Sequence, residues 1–251
     1  MRVKKVSNTW NHQSETETRY SGTQELFDSE AGLASYNLEL VRKIGDRLQI
    51  FESSETSRVL EYGAGTGTLA ELFKSEYSLS PICVEIDPAL IEHLKSKEFE
   101  VYSNLDLISG TLRYCYSSNV LEHIADDVDA LESIYSKMES GGIFVIYVPA
   151  LPIIFSDLDR NVGHYRRYTK KELTTKVRSV GFEVLDCEYN DCLGVLAGFI
   201  LRIFGFKNRL RLGSQNSMRL YDKYVYSLSK KLDKLIFRKI IGKNILLTAK
   251  K

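Results

Sequence analysis

Short apolar runs alternate with amphipathic segments along most of this 251-residue chain. The apolar runs are rich in Val, Ile and Tyr and lie at residues 58–62, 82–86, 99–102, 112–117, 143–148, 182–187 and 245–249. Between most of them, apolar residues recur three and four positions apart, which is the period of a helix. Because strands that alternate with helices are typical of a parallel sheet covered on both faces, the pattern predicts an α/β domain.

Capping residues mark the ends of some predicted helices. Asp87 followed by Pro88 predicts the start of one helix. Thr169, with Glu172 three positions later, predicts another helix that ends at Gly181. Periodicity predicts further helices at residues 38–51, 68–75 and 124–138, with Gly141 and Gly142 terminating the last.

Two segments interrupt this alternation: a predicted loop insertion at 149–168, and a predicted helical, basic insertion at 191–242. The second carries an apolar stripe with lysines and an arginine beside it. The stripe consists of Tyr221, Tyr224, Val225, Leu228, Leu232, Leu235, Ile236 and Ile240. This segment is either a lid whose apolar side packs on the core or a helix that lies on a membrane surface. Residues 1–22 are predicted to be a flexible segment, and residues 23–251 a single domain.

Charge is distributed unevenly, although the formal net charge is only +1. Residues 207–251 contain thirteen Lys and Arg against two Asp, a net of +11, so the rest of the chain carries −10. This asymmetry predicts an anionic partner for the C-terminal quarter, such as a phosphate-bearing substrate, acidic lipid or nucleic acid. The alternative is a solvated helix face without a partner.

The overall composition is that of a soluble protein, with 27% charged and 43% hydrophobic residues. The four cysteines show no metal-ligand spacing, which favours a reducing cytoplasm. Residues 1–11 lack the apolar core of a signal peptide, and the apolar stretch 193–206 is too short to span a membrane. We therefore expect a cytoplasmic protein, with peripheral contact at the inner membrane face left open.

A glycine-rich turn follows the first predicted strand, where residues 59–69 read VLEYGAGTGTL. Gly63, Gly65 and Gly67 permit positive φ and let the backbone approach a ligand at the N-terminus of the next helix. The GxGxG spacing differs from the GxGxxG of nicotinamide-binding folds. Glu61 lies inside the strand, where a carboxylate needs a cationic or hydrogen-bonding partner.

Acidic residues also stand at the end of the second predicted strand, in the sequence VEIDP at 84–88. Glu85 is predicted to accept hydrogen bonds from both hydroxyls of a ribose, as acidic residues do at this place in dinucleotide folds. Asp87 has a sufficient explanation as the cap of the following helix. A third motif, SSNVLEHIADD at 117–127, comes directly after the fourth predicted strand.

The motifs LEYGAGTGT, VEIDP and NVLEHI, in this order, resemble the class I S-adenosylmethionine (SAM)-dependent methyltransferases, in particular their small-molecule branch with an LEH signature. The resemblance covers about residues 58–187 and the final strand. It implies a Rossmann-like seven-stranded sheet whose last strand is antiparallel, SAM as cofactor and S-adenosylhomocysteine as product. The predicted cofactor-binding residues are Glu61, Gly63, Ala64, Gly65, Gly67, Glu85, Ile86, Asp106, Ser118 and Asn119.

Two positions depart from that pattern or leave a choice. Asn104 is an alternative to Asp106 as the partner of the adenine amino group. Many relatives carry a Phe-Asp pair near the start of the fourth strand, where this chain has Leu112 and Arg113. The departure keeps open a second hypothesis, a methyltransferase-like binding subunit without catalysis. A nicotinamide-dependent oxidoreductase is a third hypothesis, which the glycine spacing disfavours.

The loop after the fifth strand contains GHYRRY at 163–168, which suits an anionic acceptor. His164 is the candidate general base, and Tyr165, Arg166 and Arg167 are the candidate substrate-binding residues. Alternatively, an arginine pairs with an aspartate of the same loop, Asp157 or Asp159, and fastens it. The longer segment GHYRRYTKKEL resembles a subgroup of bacterial methyltransferases linked to polysaccharide or lipid-linked sugar metabolism.

The fourth-strand motif also bears on the methylated atom. Enzymes of this fold that methylate adenine or amide nitrogen usually carry a [DN]PPY-type motif where this chain reads SSNV. The sequence therefore favours methylation of a hydroxyl or carboxyl oxygen on a small or lipid-linked anionic metabolite, and disfavours nucleic acid. His123 is expected to be structural. A metal held by Glu122 and His123 with a further carboxylate is conceivable, but we expect no metal.

Overall fold

The computed structural model describes residues 32–49, 58–204 and 215–251. The predicted flexible segment 1–22 and the end of the predicted 38–51 helix lie outside these ranges. The described strands are β1 (Val59–Tyr62), β2 (Ile82–Val84), β3 (Val101–Tyr102), β4 (Leu112–Ser118), β5 (Met138–Pro149), β6 (Glu183–Asn190) and β7 (Asn244–Lys250).

Helices flank these strands and also occur in the described parts of both insertions. They are α1 (Ala34–Leu48), α2 (Thr68–Tyr77), α3 (Pro88–Ser96), α4 (Asp127–Lys137), α5 (Asp157–Asn161), α6 (Lys170–Ser179) and α7 (Gly194–Phe204). An eighth helix, α8, spans residues 215–240 without a break, because the residues at its internal junctions all keep right-handed helical angles. It includes two π-helical stretches, Tyr221–Tyr226 and Asp233–Phe237.

The strands form one seven-stranded sheet in the order β3-β2-β1-β4-β5-β7-β6. The ladders among β1 to β5 are parallel, whereas β7 runs antiparallel to both of its neighbours. The predicted Rossmann-like fold and its antiparallel last strand are therefore confirmed. The strand order reverses between β1 and β4, and ligands of open α/β sheets bind at the carboxyl ends of the strands at such a point.

Apolar side chains fill both faces of the sheet, as the continuous apolar runs of β1, β4 and β5 require. On one face, α1 and α2 bury residues that include Ile44 and Phe73 against Tyr116 and Val145. On the other face, Leu131 of α4 packs with residues of α6 in a second cluster. The sheet is thus a rigid platform whose carboxyl edge carries the candidate site.

One predicted boundary is wrong. Gly141 and Gly142 do not terminate α4, which ends at Lys137; they lie inside β5. The early part of β5 pairs with the start of β4, where the register shifts between Leu112 and Tyr114. Such a bulge explains the glycines, since Gly141 has a φ of +80° and a Cβ on Gly142 would lie 2.9 Å from backbone oxygens.

The two predicted insertions extend from the carboxyl edge of the sheet. Residues 149–168 cross this edge through a short turn at Pro152–Ile154 and α5, and return where Tyr168 forms a bridge with Ala150. In the second insertion, Gly194–Phe204 and residues 215–240 are helical. None of the helices in the described ranges is long and apolar enough to cross a membrane.

One of the two alternatives for the predicted apolar stripe on α8 is wrong. The stripe does not pack on the core: Tyr224, Leu228 and Leu235 are 61%, 52% and 76% exposed. The side of α8 that faces the protein is instead polar, with Asp222 and Asp233 buried. A helical period identifies a stripe but not the surface that covers it.

Candidate cofactor and acceptor site

The glycine turn is held at the carboxyl end of β1 by the neighbouring strand. The backbone N–H groups of Gly63 and Ala64 both donate to the carbonyl of Val84, at 2.8 and 3.0 Å. Gly63 and Gly67 have φ near +80° and Gly65 has +56°. A Cβ on Gly63 would lie 2.3 Å from the Val120 side chain, so this position excludes larger residues.

Glu61 is buried within β1 and accepts a hydrogen bond from the Tyr116 hydroxyl at 3.0 Å. Burial is the largest cause that raises the pKa of this carboxyl to about 8; nearby Glu85 also raises it, and the hydrogen bond from Tyr116 opposes the shift. The group is therefore mostly protonated at neutral pH until a cation arrives. The α-ammonium of the SAM methionine is the predicted cation.

Glu85 and Asp87 perform different tasks, as the sequence predicts for Asp87. The Asp87 carboxylate caps α3 by accepting from the N–H groups of Ala89 and Leu90. Glu85 accepts from the N–H of Gly65 at 2.8 Å and of Ile86 at 2.8 Å. This carboxylate therefore lies against the glycine turn, where it can exchange a backbone hydrogen bond for a ribose hydroxyl.

We expect Glu85→Ala to weaken SAM binding about tenfold, because charge-assisted hydrogen bonds to the ribose are lost. Asp87→Ala is the matched control, since it should cost ~1 kcal/mol of folding stability with little change in affinity. Calorimetric titration with SAM and denaturant unfolding of both variants separate the two effects. If the affinity loss followed Asp87 instead, the ribose carboxylate would be misassigned by two residues.

The remaining predicted cofactor residues lie on loops along the same edge of the sheet. Asp106 is exposed in a 3₁₀ turn at Leu105–Leu107, and the Asn104 side chain caps this turn through the N–H of Asp106. Ser118 ends β4, and Asn119 follows with a left-handed φ of +54°. Since the Asn104 amide oxygen is already used by the cap, Asp106 stays the predicted adenine partner.

A second group of polar residues lies next to the glycine turn. Val120, which touches the Gly63 position, is followed two residues later by Glu122 in a 3₁₀ turn at Leu121–His123. The Glu122 carbonyl accepts from the N–H of Tyr165 at 2.8 Å, which fastens the 149–168 insertion to the end of β4. The insertion thus brings His164 to the residues that follow β4, beside Glu122.

The His164 ring is oriented by a carboxylate. Its Nδ1 lies 3.0 Å from Oδ1 of Asp159, which also accepts from Nε of Arg167 at 2.8 Å. Burial would raise the pKa of Asp159, but its bond to His164 and the Arg167 charge hold it below its usual range. Because an ionised carboxylate only accepts, Nδ1 of His164 carries a proton in this hydrogen bond, and in the neutral ring Nε2 is then the proton acceptor.

Nε2 of His164 is directed toward Glu122, with 3.9 Å to the nearer carboxylate oxygen. Glu122 is completely buried, and neither of its carboxylate oxygens has a hydrogen-bond partner among the residues that the structure describes. Burial raises its pKa to about 8. The His123 ring stands edge-on to His164, and burial is the largest cause that lowers its pKa to about 3.

These three side chains place their ligand atoms within 4.8 Å of one another. Two imidazoles and a carboxylate are a donor set that a divalent metal such as Zn²⁺ accepts, so Glu122, His123 and His164 could hold one. The same arrangement can instead take up a proton or bind a hydroxyl group. Glu122 was not among the residues that the sequence singled out for substrate chemistry, although it follows the strand-four motif directly.

The three residues after His164 differ in their surroundings. The Tyr165 ring is 56% exposed. Arg166 binds Asp127 at 2.9 Å, and Arg167 is buried against Asp159. The alternative that an arginine pairs with Asp159 is realised by Arg167, whereas the sequence did not predict the Asp127 partner of Arg166.

Asp127 is the centre of this unpredicted network. It lies at the first turn of α4 and accepts from the Tyr168 hydroxyl at 2.7 Å and from Lys176 of α6 at 2.7 Å. Burial would raise its pKa, but the hydrogen bonds from Lys176, Tyr168 and Arg166 lower it. The arginines therefore fix the shape of the loop, and their direct contact with a substrate stays a prediction.

Known proteins identify the class of this domain. Residues 33–186 match the family model described as a methyltransferase domain. A protein of Mycolicibacterium smegmatis named as a probable S-adenosylmethionine-dependent methyltransferase is 28% identical over 149 residues, which are 56% of this chain and 55% of the relative. The chain thus spans about half the length of that relative.

Solved structures show the same fold. A SAM-dependent methyltransferase from Archaeoglobus fulgidus has a TM-score of 0.55 and 22% identity, over 85% of this chain and 94% of the other. The cyclopropane synthase MmaA2 from Mycobacterium tuberculosis has a TM-score of 0.54 and 14% identity, over 84% of each chain.

The chain belongs to the methyltransferase-domain family, and it is a class I SAM-dependent methyltransferase domain with S-adenosylmethionine as its cofactor. The predicted family, enzyme class and cofactor are confirmed. The individual cofactor-contacting residues stay predictions.

Proposed function

We propose that this protein transfers the SAM methyl group to an oxygen of a small or lipid-linked anionic acceptor. The observation that carries the proposal is the arrangement of His164 between Asp159 and the buried Glu122, in the segment that follows β4. A histidine oriented by a carboxylate through Nδ1 is a proton acceptor at Nε2. Methylation of a hydroxyl oxygen uses such an acceptor, because the hydroxyl proton must leave as the C–O bond forms.

SAM, held by the glycine turn and Glu85, would supply a methyl group to the acceptor oxygen, with the electron pair of the broken C–S bond leaving on the sulfur of S-adenosylhomocysteine. Nε2 of His164 takes the hydroxyl proton. Asp159 keeps the ring in the required tautomer, and the buried network around Asp127 keeps the loop in place. Most of the rate enhancement comes from holding the two reactants in line.

A hydroxyl acceptor needs a base to take its proton, whereas a carboxylate acceptor would need none. For either kind, the anionic character of the acceptor is supported by the +11 charge of residues 207–251. The lipid-linked class is supported by the exposed apolar side chains of α8 at the same edge of the sheet.

The test is to incubate the full chain with methyl-tritiated SAM and a panel of acceptors. The panel contains sugar phosphates, hydroxy acids and polyprenyl-phosphate-linked sugars, with neutral sugars as controls. We expect label in an anionic acceptor, stable to mild alkali for an ether and released for a methyl ester. Label confined to amines or to carbon would overturn the oxygen assignment. Turnover that EDTA abolishes and a divalent metal restores would make His164 a metal ligand instead of a base.

The position of Arg113 weakens the hypothesis of an inactive binding subunit, which was based mainly on this residue. Arg113, the residue that departs from the family pattern, lies near the start of β4, at the opposite edge of the sheet from the glycine turn. There it lies over the Tyr114 ring and 4.0 Å from Glu139. The presence of Arg113 therefore does not change the edge of the sheet that carries the glycine turn.

A further inference from the structure

Helix α8 is attached to the protein through its polar side chains. The Asp222 carboxylate accepts from the backbone N–H groups of Ser35 and Tyr36 at 2.8 Å each, at the start of α1. Asp233 accepts from the N–H groups of Asp191 and Cys192, at 2.7 and 3.1 Å. Both carboxylates are buried, and Tyr226 is buried between them with its ring centroid 4.6 Å from that of Tyr36.

The remaining surface of α8 exposes large apolar side chains. Its members are Leu220, Tyr224, Val225, Leu228, Leu235, Ile236, Phe237 and Ile240, which are between 36% and 76% exposed. Isolated apolar residues are common on protein surfaces, but a series along one helix marks an interaction surface. We call these eight residues the outer face of α8.

Cations accompany the outer face. Residues 215–240 contain seven Lys and Arg, and their two carboxylates are the buried Asp222 and Asp233. Lys230 and Arg238 approach acidic groups of the domain, Glu39 and Glu188, at 3.6 Å. The side chains of Lys223, Lys231, Lys234 and Lys239 extend this positive charge into solvent. The outer face is therefore apolar and cationic together.

We propose that the outer face of α8 docks on an anionic membrane surface. An interfacial helix buries apolar side chains at the boundary between headgroups and acyl chains while its lysines contact anionic headgroups. A second copy of this chain fits less well, because two cationic faces would meet. The charge favours an anionic occupant, and the apolar side chains favour one with a hydrocarbon layer.

The attachment of α8 orients the domain on such a surface. Asp191, which α8 binds through Asp233, directly follows β6, and its carbonyl accepts from the N–H of Lys243 just before β7. Because β7 is antiparallel, this is the edge of the sheet where β4 and β5 end and where His164 lies. Docking of α8 thus places the edge of the sheet that carries His164 close to the bilayer. The proposal concerns membrane binding and does not depend on which atom is methylated.

Co-sedimentation of the full chain with lipid vesicles tests the proposal. We expect binding to vesicles of phosphatidylcholine with ~30% phosphatidylglycerol, and little binding to phosphatidylcholine alone. Raising the salt to ~0.5 M should weaken binding several-fold, because the lysines are screened. The variants Lys231→Glu/Lys234→Glu and Leu235→Ser/Ile236→Ser should each reduce the vesicle-bound fraction about tenfold.

Matched controls come from exposed residues of other elements, Lys171→Glu on α6 and Leu185→Ser on β6. They should bind vesicles as the unchanged protein does, and all four proteins should keep the same melting temperature and SAM affinity. Absence of vesicle binding, or binding that the α8 variants leave intact, overturns the proposal. So does a dimer in light scattering that the Leu235→Ser/Ile236→Ser protein alone fails to form, since a second copy would then cover the outer face.

Discussion

Replacement of His164 by alanine is expected to lower turnover about 100-fold, the size of effect that loss of a general base produces. SAM affinity should stay unchanged, because the imidazole binds Asp159 and faces Glu122, and the glycine turn is built from other residues. Single-turnover measurements at saturating SAM, together with a SAM titration, report the two quantities separately.

His93→Ala on α3 is the matched control, since it removes an imidazole from a helix that carries no proposed acceptor contact. It should retain full turnover. If the His164→Ala protein kept its full rate, His164 would have no role in proton transfer and would only stabilise the loop. A loss of rate explained entirely by weaker SAM binding would move His164 into the cofactor site.

Replacement of Gly65 by valine should weaken SAM binding more than tenfold, or at least ~1.4 kcal/mol. Two effects combine there. A β-branched residue strongly disfavours the φ of +56°, and its side chain would occupy space where the backbone is predicted to approach the cofactor. The N–H of Gly65, which binds Glu85 at 2.8 Å, would be displaced as the turn adjusts. Calorimetric titration with SAM measures the change.

Gly110→Val separates backbone strain from ligand contact. Gly110 has a similar left-handed φ of +73°, and a Cβ there meets nothing within 4 Å. The control protein should lose some stability and keep its SAM affinity. Equal affinities of a folded Gly65→Val protein and the unchanged protein would place the cofactor away from this turn.

The sheet was predictable because its signals are local. Strands buried on both faces, such as β1 and β5, require continuous apolar runs, and these are visible without any knowledge of tertiary contacts. The Asp87 cap was equally visible, since a cap and the N–H groups it serves are adjacent in sequence. The wrong boundary at Gly141 arose because glycines end helices and form strand bulges alike.

The acceptor side of the site was predictable only in part, because its contacts are distant in sequence. His164 and Asp159 lie in one loop, and both were singled out. Glu122 acquires its importance only when the loop folds back onto the end of β4, and Arg166 meets Asp127 across 39 positions. Burial without a partner, the property that distinguishes Glu122, has no signature in the sequence.

Helix α8 shows a related limit. Periodicity predicted a helix with an apolar stripe, but Asp222 and Asp233 turn the polar side inward because unsatisfied N–H groups of Ser35 and Asp191 need acceptors. These N–H groups belong to other segments of the chain. Their need for an acceptor therefore cannot be predicted from the sequence of residues 215–240.

The position of β7 determines the order in which the sheet can be completed. β6 joins the sheet through β7, as Glu183 pairs with Lys250 and Asn190 with Asn244. β7 in turn pairs with β5 from Ile143 to Pro149, far back in the chain. β6 therefore cannot enter the sheet until β7 has found β5, across the entire length of the second insertion. Because contacts so distant in sequence form slowly, we expect this edge to fold after the local βα units around the cofactor turn.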